Sequence, residues 1–145
     1  VKLGGYRQDV VNGTGLIGVE WYASVAETVR GLEKNAFSGT DYRVGLTVFS
    51  SAISLAFNVW PFLGVLVVGP PARWLYAAVC GTLLFGAWRS ARGMNAPWSV
   101  ALGFPLAVLL LVYIQWRTML LNYYQGGIRW RDTHYSLAEL KANKV

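Results

Sequence analysis

Charge is what this sequence has least of. Only 14% of its 145 residues are Asp, Glu, Lys or Arg, where a soluble domain carries roughly a quarter. No charged side chain occurs from Val44 to Ala72, from Trp74 to Trp88, or from Gly93 to Trp116. Three such blocks in succession argue against an ordinary water-exposed surface and for hydrocarbon, which rejects charge. One cysteine, Cys80, excludes an internal disulfide and leaves the redox compartment undetermined. His134 is the single histidine and has no metal-ligand pattern around it. Asp132 and Glu139 are the only carboxylates after Asp41, so no paired acid–base site is written into the spacing. Gly13-Thr14-Gly15 is too short for a phosphate loop and lacks the following lysine. No ionisable residue sits in the middle of an apolar block, which argues against a proton or ion path through this chain alone. Heptads and the inverted repeats of a secondary transporter are also missing. The residues therefore name no catalytic, cofactor-binding or metal-ligating set.

What is present is apolar and aromatic. Hydrophobic residues make up 54%, with seven tryptophans and eight tyrosines, rings favoured where hydrocarbon meets water. The length suits one ordinary domain. The formal charge is +6, but the basic residues flank apolar blocks instead of forming a continuous patch. Anionic lipid headgroups are the expected partner, and nucleic acid is not. The chain begins with Val and lacks a signal-peptide core, which fits a chain continued upstream; processing gives the same appearance.

Residues 1–18 are polar and Gly-rich. Short strands at Gln8–Val11 and Leu16–Val19, turned by Asn12 and Gly13, are expected as the end of an upstream soluble domain. From 19 to 41 the period changes. Tyr22, Val25, Val29, Leu32 and Ala36 recur every three or four residues, which predicts an amphipathic helix lying in a membrane interface. Ser24 and Glu27 have capping-box spacing. Across 45–121, three transmembrane helices are expected, at 45–68, 72–88 and 97–121. Pro61 should bend or break the first, and Gly103 and Pro105 should kink the third. The tail, 122–145, reads as a small hairpin with Ile128 and Trp130 on one face and Asp132-Thr133 at its turn. Ser136 and Glu139 then cap a last helical turn. The expected fold class is thus an all-α membrane protein with an interfacial helix, about three transmembrane helices and a hairpin-like tail, integral to a bacterial inner membrane.

Basic residues set the expected topology. Lys34 and Arg43 place the first side inside, and Arg89 and Arg92 place the second loop inside. A third crossing then puts the basic tail outside, unless one apolar block re-enters; the broken first block and the short second block are the suspects. Arg30, Lys34, Asn35, Arg73, Arg89, Arg92, Trp116, Arg117, Trp130 and Arg131 are the residues expected at lipid headgroups or at an interface with a neighbouring domain.

Two segments carry a family resemblance. Trp21-Tyr22-Ala23-Ser24 with Val29–Phe37, and Gly127-Ile128-Arg129-Trp130-Arg131 continuing to Leu140, resemble the C-terminal region of membrane-bound family 2 glycosyltransferases of the hopanoid-associated and carotenoid or ceramide glycosylating type. The resemblance implies the lipid-acceptor-side, membrane-anchoring portion of an enzyme that moves a sugar from a nucleotide sugar to a lipid. It implies a catalytic domain outside this chain, holding the nucleotide sugar and a divalent metal, with Lys34, Asn35, Trp130 and Arg131 where that domain meets the membrane. The Gln-x-x-Arg-Trp motif of processive relatives is absent, since Gln115-Trp116-Arg117 has the wrong spacing. The rival reading is a small non-enzymatic membrane subunit that anchors a larger complex. A transporter half ranks below both.

Overall fold

The computed structural model describes residues 4–7, 9, 13, 16, 18–19, 21–33, 35–130 and 133–142. The expected strands near the N-terminus fall largely outside that set, as do Lys34, Arg131 and Asp132.

The first helix, α1 (Val25–Leu32), begins where the spacing places it. Ser24 Oγ accepts from the Glu27 amide at 3.2 Å, and the Glu27 carboxylate accepts from the Ala23 amide at 3.0 Å. Two end amides are satisfied in this way before the helix's own ladder starts. A single 3₁₀ turn, Ser38–Thr40, and a left-handed Asp41 lead into α2 (Val44–Asn58). Pro61 then breaks the first apolar block: α3 (Trp60–Val67) carries it in its first turn, and α2 and α3 meet at 44°. Proline supplies no N–H and crowds the carbonyl four residues back, so the ladder restarts after Val59. α4 (Ala72–Gly93) folds back on α3. The Tyr76 ring lies against Gly64, where a β-carbon would fall 2.9 Å from it.

The third block starts as a 3₁₀ segment, Trp98–Gly103, behind Pro97, and continues as α5 (Phe104–Gln125). Gly103 and Pro105 therefore sit at a helix start, where a missing N–H costs nothing, and not inside a kinked helix. Gly126, at φ 69°, ends α5. β1 (Gly127–Trp130) and β2 (Thr133–Ser136) pair antiparallel with Ile128 opposite Tyr135 and Trp130 opposite Thr133. Gly127 has φ 158°, and a β-carbon there would lie 2.0 Å from the Tyr135 carbonyl oxygen. α6 (Leu137–Ala142) follows, capped by Ser136 and Glu139.

The expectation of three crossings is corrected. Among the described residues one helical run, Trp98–Gln125, is long and apolar enough to cross a membrane, and a second counts only if the bent pair α2–α3 is one broken span or a re-entrant loop. The physical reason is dilution and breakage. α4 has the length, but Arg73, Arg89 and Arg92 lie within it together with tryptophan, tyrosine and glycine, which keeps it below the apolarity of a span. The first block is split before either half reaches the ~20 residues needed. An integral protein of a bacterial inner membrane with three crossings is not what the structure presents.

The packed interior is small and unusually polar. Phe37, Ala91, Ala101, Ile114 and Met119 are its buried apolar residues, and Thr40, Thr47, Ser51, Thr118 and Asn122 are buried with them. Thr40 and Thr47 hydroxyls share a hydrogen bond at 2.7 Å, and Thr47 also donates to the Arg43 carbonyl. Ser51 Oγ donates to Gln115 Oε1 at 3.3 Å and accepts from Trp116 Nε1 at 3.0 Å, which ties α2 to α5. Phe37 packs between the rings of Tyr42 and Tyr123.

Candidate functional site

A small cavity opens where α1, the last turns of α5 and β1 converge. Its volume is about 160 Å³, and Arg30, Glu33, Thr118, Asn122, Gln125 and Ile128 are among its lining residues. The elements deliver these side chains by simple periodicity. Ile114, Thr118 and Asn122 are spaced by four on α5 and form its buried stripe. Arg30 and Glu33 are spaced by three and face α5 from α1. Thr118 Oγ1 donates to the Ile114 carbonyl at 2.7 Å, and Asn122 Nδ2 donates to the Thr118 carbonyl at 2.8 Å. These bonds fix the stripe and orient the Asn122 amide. Its Oδ1 is buried and has no hydrogen-bond partner among the described residues, although Asn122 is only 4% exposed. An unmet buried acceptor is costly, and native interiors contain few. Glu33 meets Arg117 in a salt bridge from α1 to α5, with Arg117 40% exposed and Glu33 24% exposed at their side chains.

The expected site residues separate. Arg30 lines the cavity and Arg117 closes on it through Glu33. Trp116 turns to Ser51. Arg73 donates to the Val68 carbonyl at 3.0 Å, Arg92 lies over the Trp88 ring at 5.3 Å, and Arg89 is exposed. Asn35 is exposed in the turn after α1, where its carbonyl accepts from Ser38. Trp130 lies on β1; Lys34 and Arg131 lie outside the described residues. Glu33, Thr118, Asn122 and Gln125 were not singled out from the sequence. The signal for Asn122 was there, as an amide four residues beyond Thr118 on the Ile114 stripe of an apolar helix.

Two other hollows are larger. One of about 520 Å³ lies at the α2–α3 break and is almost wholly apolar, lined by Leu55, Val59, Trp60, Leu63 and Leu109 among others. One of about 500 Å³ lies between Asp41, Tyr42, Arg43, Tyr123 and Lys141, where the Lys141 ammonium sits 5.9 Å from the Tyr123 ring centre. Among the described residues, no group of three or more His, Cys, Asp or Glu side chains stands close enough to hold a metal ion. No family model, no curated protein and no solved structure matches this chain. Nothing from those comparisons ties it to the family 2 glycosyltransferases that its two end segments resemble.

Proposed function

We propose that this chain attaches a larger protein to a lipid bilayer and has no chemical step of its own. The observation that carries this reading is the distribution of polarity between inside and outside. Threonine, serine and asparagine are buried and hydrogen-bonded, while large apolar side chains stand exposed on every long helix, such as Phe57 at 64%, Leu75 at 70% and Leu106 at 69%. Leaving these and their neighbours in water forfeits on the order of 10 kcal/mol, comparable to the whole stability of a domain. Something apolar must cover them. A bilayer suits the pattern better than one protein partner, because the exposed residues are spread around several helices and not gathered in one patch. Exposed Trp60, Trp74 and Trp98 accompany them, as do arginines at the ends of α4, the amphipathic residues favoured at headgroup level.

The test is flotation of the purified chain with phosphatidylcholine vesicles through a density gradient. Recovery with the vesicles after a high-salt wash is the expected result. A monodisperse chain in detergent-free buffer that stays at the bottom overturns the reading. The more specific form, the lipid-acceptor side of a sugar transferase, is supported by the end segments Trp21–Phe37 and Gly127–Leu140 alone. Transfer from a nucleotide sugar to extracted lipid by the native protein is the assay for it, and no transfer with any common donor counts against it.

A further inference from the structure

The apolar hollow at the α2–α3 break is built on one continuous face. Ala52, Leu55, Ala56, Val59 and Leu63 recur every three or four residues, so the lining runs along α2, past the break and into α3. Leu109, in the middle of the aliphatic run Leu106–Val112 of α5, completes the wall. The polar side chains beside it are already satisfied. Trp60 Nε1 donates to the Tyr76 hydroxyl at 3.2 Å, and Asn58 Nδ2 donates to the Ser54 carbonyl at 3.2 Å. The lining side chains therefore offer an occupant neither charge nor a free hydrogen bond, and a polar occupant would lose its hydration for nothing. We propose that this hollow holds one cis-unsaturated acyl chain of a bilayer phospholipid, an inference that rests on the bilayer reading above.

Place, size and shape agree with this occupant. The hollow opens on surface that the bilayer reading already covers, since Trp60, Leu63 and Leu109 in its wall are 47%, 49% and 43% exposed. Its volume of about 520 Å³ corresponds to roughly seventeen water volumes, and a methylene takes up about the room of a water, so most of one long chain fits. The lining comes from both sides of the 44° bend between α2 and α3. An occupant that touches all of it has to turn with it. A cis double bond sets a permanent turn into an otherwise extended chain, whereas a trans double bond leaves the chain straight. A helix from a second copy, straight and about 10 Å across, meets only one half of such a bend. A free fatty acid brings a carboxylate for which no lining residue supplies a cation, while a phospholipid keeps its headgroup outside the hollow.

Trp60 in the wall serves as the probe. The chain in detergent micelles is titrated with phosphatidylcholine brominated at mid-chain, bromine being a contact quencher of indole fluorescence. A saturable component of quenching is expected, and Trp60→Phe should lose it with the indole. Ala56→Phe fills the hollow from α2 and Leu109→Phe fills it from α5, so both should also lose that component. All three variants should still float with vesicles, which sets a misfolded variant apart from a filled hollow. Dioleoyl phosphatidylcholine is expected to displace the probe at about five-fold lower concentration than its trans isomer, roughly the worth of one methylene held out of contact. Quenching that never saturates, or that persists in Trp60→Phe or in both filled variants, overturns the site and leaves the bilayer reading standing. Equal displacement by the two isomers overturns the cis-unsaturated assignment. Displacement by free oleate but not by the dioleoyl lipid assigns a fatty acid and overturns the phospholipid. A wild-type chain that sediments as a dimer and shows no saturable quenching has a second copy in the hollow, which overturns the proposal as well. Failure of the wild type to float overturns the bilayer reading and this one with it.

Discussion

Ser51 shows how polar side chains help to join α2 to α5. It is 2% exposed and is the hydrogen-bonded link from α2 to Gln115 and Trp116 on α5. Replacing it by Ala removes both bonds and leaves the partly buried Trp116 N–H and Gln115 oxygen to find other partners. Ser51→Ala should therefore destabilise the fold by about 1–2 kcal/mol, read by equilibrium unfolding in mild detergent. Ser50 is the control: its hydroxyl donates only to the Thr47 carbonyl on its own helix, and Ser50→Ala should lie within about 0.5 kcal/mol of wild type. Equal effects from the two would mean that the α2–α5 bond contributes nothing. At this scale the sequence was legible where partners are local. Ser24 with Glu27, and Ser136 with Glu139, were readable from spacing because capping joins residues three apart. The pairing of Glu33 with Arg117 was not, because 84 residues separate them and no periodicity links one helix to another.

The tail is the element whose behaviour follows most directly from its own residues. Glu139 accepts from the Ser136 amide and from the Ser136 hydroxyl, both at 2.9 Å. The backbone bond to Ser136 first, then the hydroxyl bond, hold its carboxyl below the ordinary carboxylate range, with His134 adding a smaller pull in the same direction. A depressed folded pKa means that the unfolded tail binds the proton more readily. The cap's contribution is then fully present above the ordinary Glu value of about 4.3 and is lost as pH falls through the lower folded value. The Ser136 amide should lose hydrogen-exchange protection over that acidic range in wild type but not in Glu139→Gln, whose protection should be weaker and flat with pH. A wild-type profile as flat as the variant's would show that the carboxylate does not cap α6. Helix existence was also legible at the scale of elements, since apolar blocks and proline positions mark most of them. The break at Val59 was expected from Pro61. The extent of α4 to Gly93 was not, because the arginines that marked its expected end lie along a helix that simply continues past them.

Across the whole molecule, freedom from charge proved a poor substitute for hydropathy. The three blocks are equally uncharged, yet only Trp98–Gln125 is by itself one helical run long and apolar enough to span: the first block is apolar enough but broken after Asn58, and the second is diluted by Trp, Tyr and Gly between flanking arginines. The cavity at Asn122 was invisible for another reason: it needs α1, α5 and β1 brought together, and no local pattern in the sequence says that these three meet. On the bilayer attachment proposed above, a net charge of +6, with the apolar blocks bounded by arginine, would give two separable contributions to binding. The electrostatic one acts over a Debye length of about 10 Å at 0.1 M salt and shrinks to about 3 Å at 1 M. The apolar one acts only at contact and is not weakened by salt. Stopped-flow association with vesicles containing phosphatidylglycerol should therefore slow by roughly ten-fold or more between these salt concentrations. Association with phosphatidylcholine vesicles should change little, and chain already bound to either should not be released by the higher salt. Complete release from both at 1 M salt would mean that charge alone holds the chain to lipid, and that its exposed leucines, phenylalanines and tryptophans are covered by a protein instead.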